Sequence, residues 1–270
     1  MKESKQLEVE QIWSIFLTMS EHASKETLSR FRTNNQITNK NEKTFDPVTE
    51  ADVEVERILR QVITEQFPSH GIIGEELPNR DGTSEWSWII DPIDGTRSFV
   101  SGMPTWGTLV GVLKNGVPTF GMMSQPFVGE LFMGGPGKSV TVRNGCNETL
   151  HCRPSSGLSD ATLFTTSPDM FESAHEKACF DELAQKVKLT RYGADCYGYC
   201  LLAAGFVDLV VEANLGFYDI APLVPIIEGA GGIVTDWQGG PIRAGGRALA
   251  AGDQKIHMEA LATMSDRTIT

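Results

Sequence analysis

Positive charge is scarce in this chain: 23 lysines and arginines stand against 35 aspartates and glutamates in 270 residues, a formal net charge of −12. An acidic surface repels a phosphate backbone, so nucleic-acid binding through a basic face is excluded. No stretch approaches 18 uncharged apolar residues, which excludes a bilayer-spanning helix and leaves no membrane partner. Met1-Lys2-Glu3-Ser4-Lys5 leads into Glu8 and Glu10 instead of an apolar run, so no secretory signal is expected. Cysteine is sparse, at 146, 152, 179, 196 and 200; the count is odd and no Cys-x-x-Cys occurs. That argues against a disulfide framework and for a reducing, cytoplasmic setting. Cys196 and Cys200 lie one helical turn apart, but no His or Cys nearby in sequence completes a zinc site, and they read as small buried hydrophobes. Repeats and low-complexity tracts are absent. What is there is the composition of a globular protein, 40% hydrophobic and 21% charged, long enough for one or two domains with a full core.

Val9, Ile12, Trp13, Phe16 and Leu17 recur at helical spacing and predict an amphipathic helix over the first thirty residues. Residues 33–43, dense in Asn and Lys, read as a surface loop without regular structure. A second helix starts near Thr49, carries Val55, Ile58, Leu59, Val62 and Ile63, and stops at Pro68 and Gly71. Short apolar strands follow at 72–74 and 86–90. Asn115-Gly116 joins 108–113 to 117–123 as a hairpin, and the sheet continues through 129–133 and 139–143. The second half alternates, with helices at 171–187 and 197–204 and strands at 207–211 and 233–235. A helix over 219–229 tolerates Pro222 in its opening turn, whereas Pro225 should bend it. This is a mixed α/β chain with helices packed on sheets. A polar shift near 137–150 divides it into residues 1–140 and 141–270.

The strongest chemical signal is Trp88-Ile89-Ile90-Asp91-Pro92-Ile93-Asp94-Gly95-Thr96. A buried strand delivers two carboxylates at its end, and the amides of Gly95 and Thr96 open a helix beside them. Anion-binding donors thus adjoin cation-binding acids, as a phosphate with Mg²⁺ requires. Gly74-Glu75-Glu76 brings further acids to a strand end, although these fit a solvated loop as well. Asp219 begins a helix, where it can cap and still offer a second oxygen. Thr49-Glu50-Ala51-Asp52 has capping-box spacing. Several carboxylates in one cleft repel each other and any anionic substrate; two or three divalent ions neutralise them and attract phosphate. An all-oxygen ligand set without His selects Mg²⁺, or Mn²⁺, over zinc.

Gly74-Glu75-Glu76, Asp91-Pro92-Ile93-Asp94-Gly95-Thr96, Tyr218-Asp219-Ile220-Ala221 and Glu228-Gly229-Ala230-Gly231-Gly232 together resemble the inositol monophosphatase family, in order and spacing, over about residues 8–263. The resemblance implies a layered αβαβα sandwich, Mg²⁺-dependent hydrolysis of small phosphate monoesters and a homodimer. It makes 1–140 a metal-binding subdomain and 141–270 a substrate subdomain of one catalytic unit. It implies Glu75, Asp91, Asp94, Asp219 and the Ile93 carbonyl as metal ligands. Thr96 and Glu75 would orient the attacking water, Asp52 would support them through Thr96, and Gly95 and Thr96 would donate amides to phosphate. The family's loop lysine has its nearest match in Lys43, at altered spacing.

Within that family, the segment from Gly95-Thr96-Arg97-Ser98-Phe99 through Gly107-Thr108-Leu109 is most similar to the histidinol-phosphatase branch. So are Arg191-Tyr192-Gly193-Ala194-Asp195-Cys196-Tyr197 and Asp208-Leu209-Val210-Val211-Glu212. This implies L-histidinol phosphate of histidine biosynthesis as substrate, with Asp195 and Glu212 near the leaving alcohol and Arg191 among the substrate-binding residues. An ammonium and an imidazole call for acids there, although Asp195 could instead cap a helix and Glu212 end a strand at the surface. Inositol-1-phosphate, or a broad range of small phosphates, is the alternative within the class. A non-catalytic phosphometabolite-binding protein is the alternative outside it.

Overall fold

The computed structural model describes residues 2–33, 37–39 and 47–265; Lys43 lies outside them. Helix α1 (Lys2–Arg30) is followed by a short antiparallel pair, β1 (Ile37–Asn39) and β2 (Pro47–Thr49), and by α2 (Glu50–Gln66). The expected irregular loop therefore contains a strand, where β-branched Ile37 and Thr38 pair with Thr49 and Val48. On α1 the buried line runs Ile12, Phe16, Met19 and Ala23, whereas Leu17, expected in the apolar stripe, is 42% exposed.

Next come β3 (Gly71–Gly74), β4 (Trp86–Asp94), the short helix α3 (Thr96–Ser101), β5 (Gly107–Lys114), β6 (Val117–Gln125), β7 (Glu130–Gly135), β8 (Lys138–Arg143) and β9 (Cys146–Thr149). Strands β3 to β9 form one seven-stranded sheet in chain order, parallel at β3–β4 and antiparallel thereafter. Residue 140 lies inside β8, and the chain leaves this sheet after Thr149. The remainder is β10 (Thr162–Thr165), α4 (Ala174–Lys186), β11 (Leu189–Tyr192), α5 (Asp195–Ala203), β12 (Leu209–Leu215), α6 (Phe217–Ile220), α7 (Leu223–Gly229), β13 (Ile233–Thr235), β14 (Gly246–Ala251) and α8 (Gln254–Ser265). Its five strands are ordered β11-β10-β12-β14-β13.

Strand alternation builds the layers. Trp88 and Ile90 of β4 pack with Phe16 of α1 and Leu59 of α2, while Ile89 meets Ala221 on the opposite face. Leu109, Met123 and Phe132 of the first sheet share a core with α5, α7 and Val210 and Ala250 of the second. The outer face of the second sheet, through Leu163, Val211 and Leu249, is covered by Phe180 and Leu183 of α4 and Ile256 and Ala260 of α8. Helices, sheet, helices, sheet, helices: the protein is an αβαβα sandwich.

The helix expected over 219–229 is broken in two. The break falls at Pro222, which caps α7, while Pro225 sits in the first turn of α7, where its missing N–H has no intrahelical acceptor to lose. Three glycines in register, Gly111, Gly121 and Gly134, admit this break onto the sheet. A Cβ on Gly121 would lie 1.8 Å from the Pro222 carbonyl oxygen, and one on Gly134 2.4 Å from Ile226 Cα. Backbone packed this closely on a sheet fixes Asp219, three residues before the break.

Candidate active site

The site forms where β4 ends. Its pairing with β5 slips between Asp91, opposite Leu109, and Asp94, opposite Gly107, so Pro92 and Ile93 form an irregularity between the two acids. Thr108 secures the turn by donating to the Pro92 carbonyl at 2.8 Å. Gly95 follows in the left-handed region, φ 78°, and α3 opens at Thr96. Asp219 arrives from α6, where Oδ2 accepts the Gly216 N–H at 2.7 Å. This bond caps the opening of α6, the capping role expected of it, and leaves its second oxygen for another partner.

One ligand oxygen from each of Asp91, Asp94 and Asp219 can be chosen so that all lie within 4.8 Å of one another. Asp91 is buried, with Glu75, Asp94 and Asp219 as its acidic neighbours. Its Oδ1 is buried without a partner. Burial, then the charges of Glu75, Asp94 and Asp219, hold Asp91 well above the usual carboxylate range. Burial and the charges of Asp219 and Asp195 do the same to Asp94. Asp219 is pushed up to about 7, by burial first and then by Glu75. An orphaned buried oxygen among acids that force protons onto one another fits a divalent cation, and the all-oxygen donor set fits a hard one. The Ile93 carbonyl stands beside these acids and accepts the Thr96 hydroxyl at 3.0 Å, leaving a second lone pair.

Glu75 is held by a device the sequence reading missed. Glu56, fully buried on α2, accepts the Glu76 amide at 2.7 Å and the Leu77 amide at 3.3 Å, and pairs with Arg60 at 2.7 Å. Gly74 leaves room for it: a Cβ there would come 1.8 Å from Glu56 Oε1, so the buried Glu56–Arg60 pair would have to shift. The available signal was a charged i, i+4 pair on the apolar face of a helix. Asp52 completes the capping box with Thr49, accepting its N–H at 2.8 Å and its hydroxyl at 2.6 Å. Asp52 and Thr96 share no hydrogen bond; Asp52 Oδ1 is buried and unpartnered. Burial, with a contribution from Glu75, raises Asp52 to about 6.

Beyond the acids lies a cavity of about 220 Å³ lined in part by Asp94, Gly95, Thr96, Asp195, Glu212 and Asp219. Asp195 opens α5 without capping it; the first α5 amide to find a carboxylate is Cys196 N–H, which donates to Asp94 Oδ2 at 2.8 Å. Glu212 is buried in β12, accepts the Thr166 amide at 2.8 Å and the Tyr199 hydroxyl at 2.9 Å, and is pushed by burial up to about 7. Arg191 is exposed on the edge strand β11 and does not line the cavity. Arg97 and Met170, given no role from sequence, do. Asp208 has a structural task, accepting Arg153 Nε at 2.7 Å and the Thr162 amide at 2.7 Å. Cys196 and Cys200 are buried in the shared core, as expected.

A five-layer sandwich with acids gathered at a strand end, beside a cavity that a helix opening also lines, defines a divalent-metal phosphomonoesterase site. Residues 8–269 match the inositol monophosphatase family, and the chain belongs to it. It is similar to the bifunctional phosphatase IMPL2, chloroplastic, of Arabidopsis thaliana, 42% identical over 231 residues; the match covers 82% of this chain and 66% of that protein. It is also similar to a histidinol-phosphatase of Chlorobaculum parvum, 32% identical over 251 residues, covering 93% of this chain and 95% of the other. Among solved structures, an inositol monophosphatase from Zymomonas mobilis has a TM-score of 0.84 at 37% identity, covering 94% of this chain and 98% of that one. Among the described residues, no helix is long and apolar enough to cross a membrane.

Proposed function

We propose that this protein hydrolyses phosphate monoesters of small polar alcohols: water and the ester give the free alcohol and inorganic phosphate. The observation that carries the reading is the cluster of Asp91, Asp94 and Asp219, acids with which no described lysine, arginine or histidine forms an ion pair. Glu75, Asp91, Asp94, Asp219 and the Ile93 carbonyl would hold two or three Mg²⁺ ions, with Mn²⁺ as substitute. Bound metal supplies a water of lowered pKa and charge compensation for the phosphate. The chain supplies geometry. Thr96 donates its hydroxyl proton to Ile93, so its oxygen is an acceptor able to align a water's proton, with Glu75 as the second orienting group. The amides of Gly95 and Thr96 would hold the phosphate, and the second half of the chain, residues 141–270, would shape the pocket for the alcohol. The same reading includes a cytoplasmic homodimer, whose stoichiometry sedimentation tests.

For the substrate, similarity to both histidinol-phosphatases and inositol monophosphatases supports the broader specificity, a small-metabolite phosphatase that accepts inositol-1-phosphate. A second reading, L-histidinol phosphate, is favoured by one observation: two carboxylates beyond the Asp91–Asp94–Asp219 cluster, Asp195 and Glu212, line the cavity, where they would pair the ammonium group of the alcohol. Phosphate release from both esters, nucleoside monophosphates and 3′-phosphoadenosine phosphate, with Mg²⁺ or EDTA, tests both readings. Turnover that EDTA abolishes is expected. Binding of phosphate esters without turnover would make the protein a non-catalytic phosphometabolite receptor.

A further inference from the structure

Asp195 differs from the other acids of the cavity in being anchored by side chains from a distant segment. Its backbone occupies the left-handed region, φ 46°, which costs energy for a non-glycine residue and persists only where the surroundings impose it. The imposing contacts come from α3 and the loop after it. Asp195 Oδ2 accepts the Ser98 hydroxyl at 2.6 Å and the Thr105 hydroxyl at 2.5 Å, and the two hydroxyl oxygens are 3.1 Å apart. Gly95 closes the contact, since a Cβ there would stand 2.8 Å from Asp195 Cγ. Both donors converge on one oxygen. Oδ1 takes no hydrogen bond from the described chain, and Asp195 lines the cavity.

We infer that Ser98 and Thr105 are specificity-determining positioning residues, a two-hydroxyl clamp that fixes Oδ2 of Asp195 and thereby presents Oδ1 to an ammonium or hydroxyl group of the substrate alcohol. The inference rests on the proposed reading that a phosphomonoester's alcohol portion occupies this side of the cavity. A carboxylate already anchored by one oxygen has little rotational freedom left to lose when a ligand binds, whereas a free one must be ordered at that moment. The clamp also links the two ends of the substrate. Ser98 and Thr105 follow the phosphate-side residues Gly95 and Thr96 in sequence. Asp195 opens α5, whose next amide is bonded to Asp94. Distance between the phosphate end and the alcohol end is thus set through two hydroxyl contacts. They touch no reacting atom.

The test compares wild type with Ser98→Ala, Thr105→Val, the double variant, and the hydroxyl-preserving Ser98→Thr and Thr105→Ser, all with Mg²⁺. The readout is the ratio of kcat/KM for L-histidinol phosphate to that for glycerol 2-phosphate, together with calorimetric affinity for free L-histidinol. The double variant is expected to lower the ratio about tenfold, mainly through KM, and to weaken L-histidinol by a similar factor. Hydroxyl-preserving variants should stay within about twofold of wild type. Thermal unfolding reports folding, and if the double variant does not fold, near-isosteric Thr105→Val carries the test with a smaller drop. The clamp is overturned if Asp195→Asn lowers the ratio while the hydroxyl-less variants do not, or if Ser98→Thr loses as much as Ser98→Ala. A ratio that Asp195→Asn fails to move removes the substrate-side reading of Asp195 itself, and the clamp falls with it.

Discussion

Two sets of acids withdrawn from solvent, wholly for Glu56, Asp208 and Asp91 and partly for Asp94 and Asp219, differ in company. Glu56 and Asp208 are buried and satisfied: Glu56 by Arg60 and the amides of Glu76 and Leu77, Asp208 by Arg153 and the Thr162 amide. Asp91, Asp94 and Asp219 lie at the end of β4 with one another as neighbours, and each is pushed upward in pKa. A buried charge is tolerated when the chain supplies its counterpart. Where it supplies more negative charge instead, the group suits a cation from solution. Company, more than burial, separates a structural acid from a functional one.

The comparison breaks most sharply by exchanging one member of each set. Asp94→Asn should cut kcat by about 10²-fold or more while the fold survives, because it removes a proposed metal ligand and relieves repulsion in the metal-free protein. Turnover at the wild-type rate would put the metal site elsewhere. Glu56→Ala should do the reverse, costing about 2 kcal/mol of stability by orphaning two amides and removing the carboxylate partner of Arg60, which keeps the Leu77 and Pro78 carbonyls; denaturant unfolding at fixed pH measures it. A variant of Glu56 that keeps full stability would mean that the Gly74-Glu75-Glu76 turn is held by something else.

How far the sequence carries the architecture differs between the two sheets. In the first, Asn115-Gly116, the runs on either side and the apolar burst ending in Asp91-Pro92-Ile93-Asp94 are local signals, and β3 to β8 follow from them. In the second, β10, β11 and β14 escape detection. Gly246–Ala251 is Gly-Arg-Ala-Leu-Ala-Ala, low in β-branched residues, and becomes a strand because β12 and β13 flank it on both sides. Long-range pairing leaves no local trace. The metal acids were legible because each ends or begins an element in a recognisable motif. The long-range contacts around the cavity were not: Glu56 reaches the Glu75 turn from another helix, and Ser98 meets Asp195 across 97 residues. Arg191, a charge beside a matching motif, lies on an exposed edge strand, a placement that no local signal gives.

A smaller effect sharpens the comparison without touching an acid. Gly121 supplies no side chain to the site, but its bare Cα lets Pro222 pack on β6. Gly121→Ala should cost about 1–3 kcal/mol by overpacking, and it should weaken Mg²⁺ binding because the displaced backbone carries Asp219. Gly116→Ala, at the hairpin tip where a Cβ meets nothing within 4 Å, strains only its own positive φ. It should leave metal affinity unchanged. Equal metal affinities in the two variants would detach the glycine groove from the site.

The smallest expected signal is a pH dependence, a few degrees in Tm, and its sign follows from the same acids. In the metal-free protein, Asp219 titrates near 7 against a carboxylate's ordinary 3.8, and Asp91 and Asp94 are raised too. Between about pH 4 and 7 the folded chain therefore holds protons that the unfolded chain has released, and stability falls as pH rises through that window. His70 and His257 work against this slope. Their pKa values are lowered by burial, so the unfolded state takes up protons first as pH falls toward 6, and their contribution grows as pH rises. An absolute Tm profile mixes the two signs. The difference between profiles in Mg²⁺ and in EDTA does not, because the histidines are common to both and only the acids exchange protons for metal. That difference should be small at pH 5, where protons already neutralise the cluster, and should widen through pH 7 to its largest value near pH 8. Glu212, raised to about 7 by burial and held by Thr166 and Tyr199, is assigned to the alcohol side, so Glu212→Gln should alter the slope in both buffers and leave the difference in place. A Mg²⁺ effect of equal size at pH 5 and pH 8 would show that the ion binds somewhere other than these carboxylates.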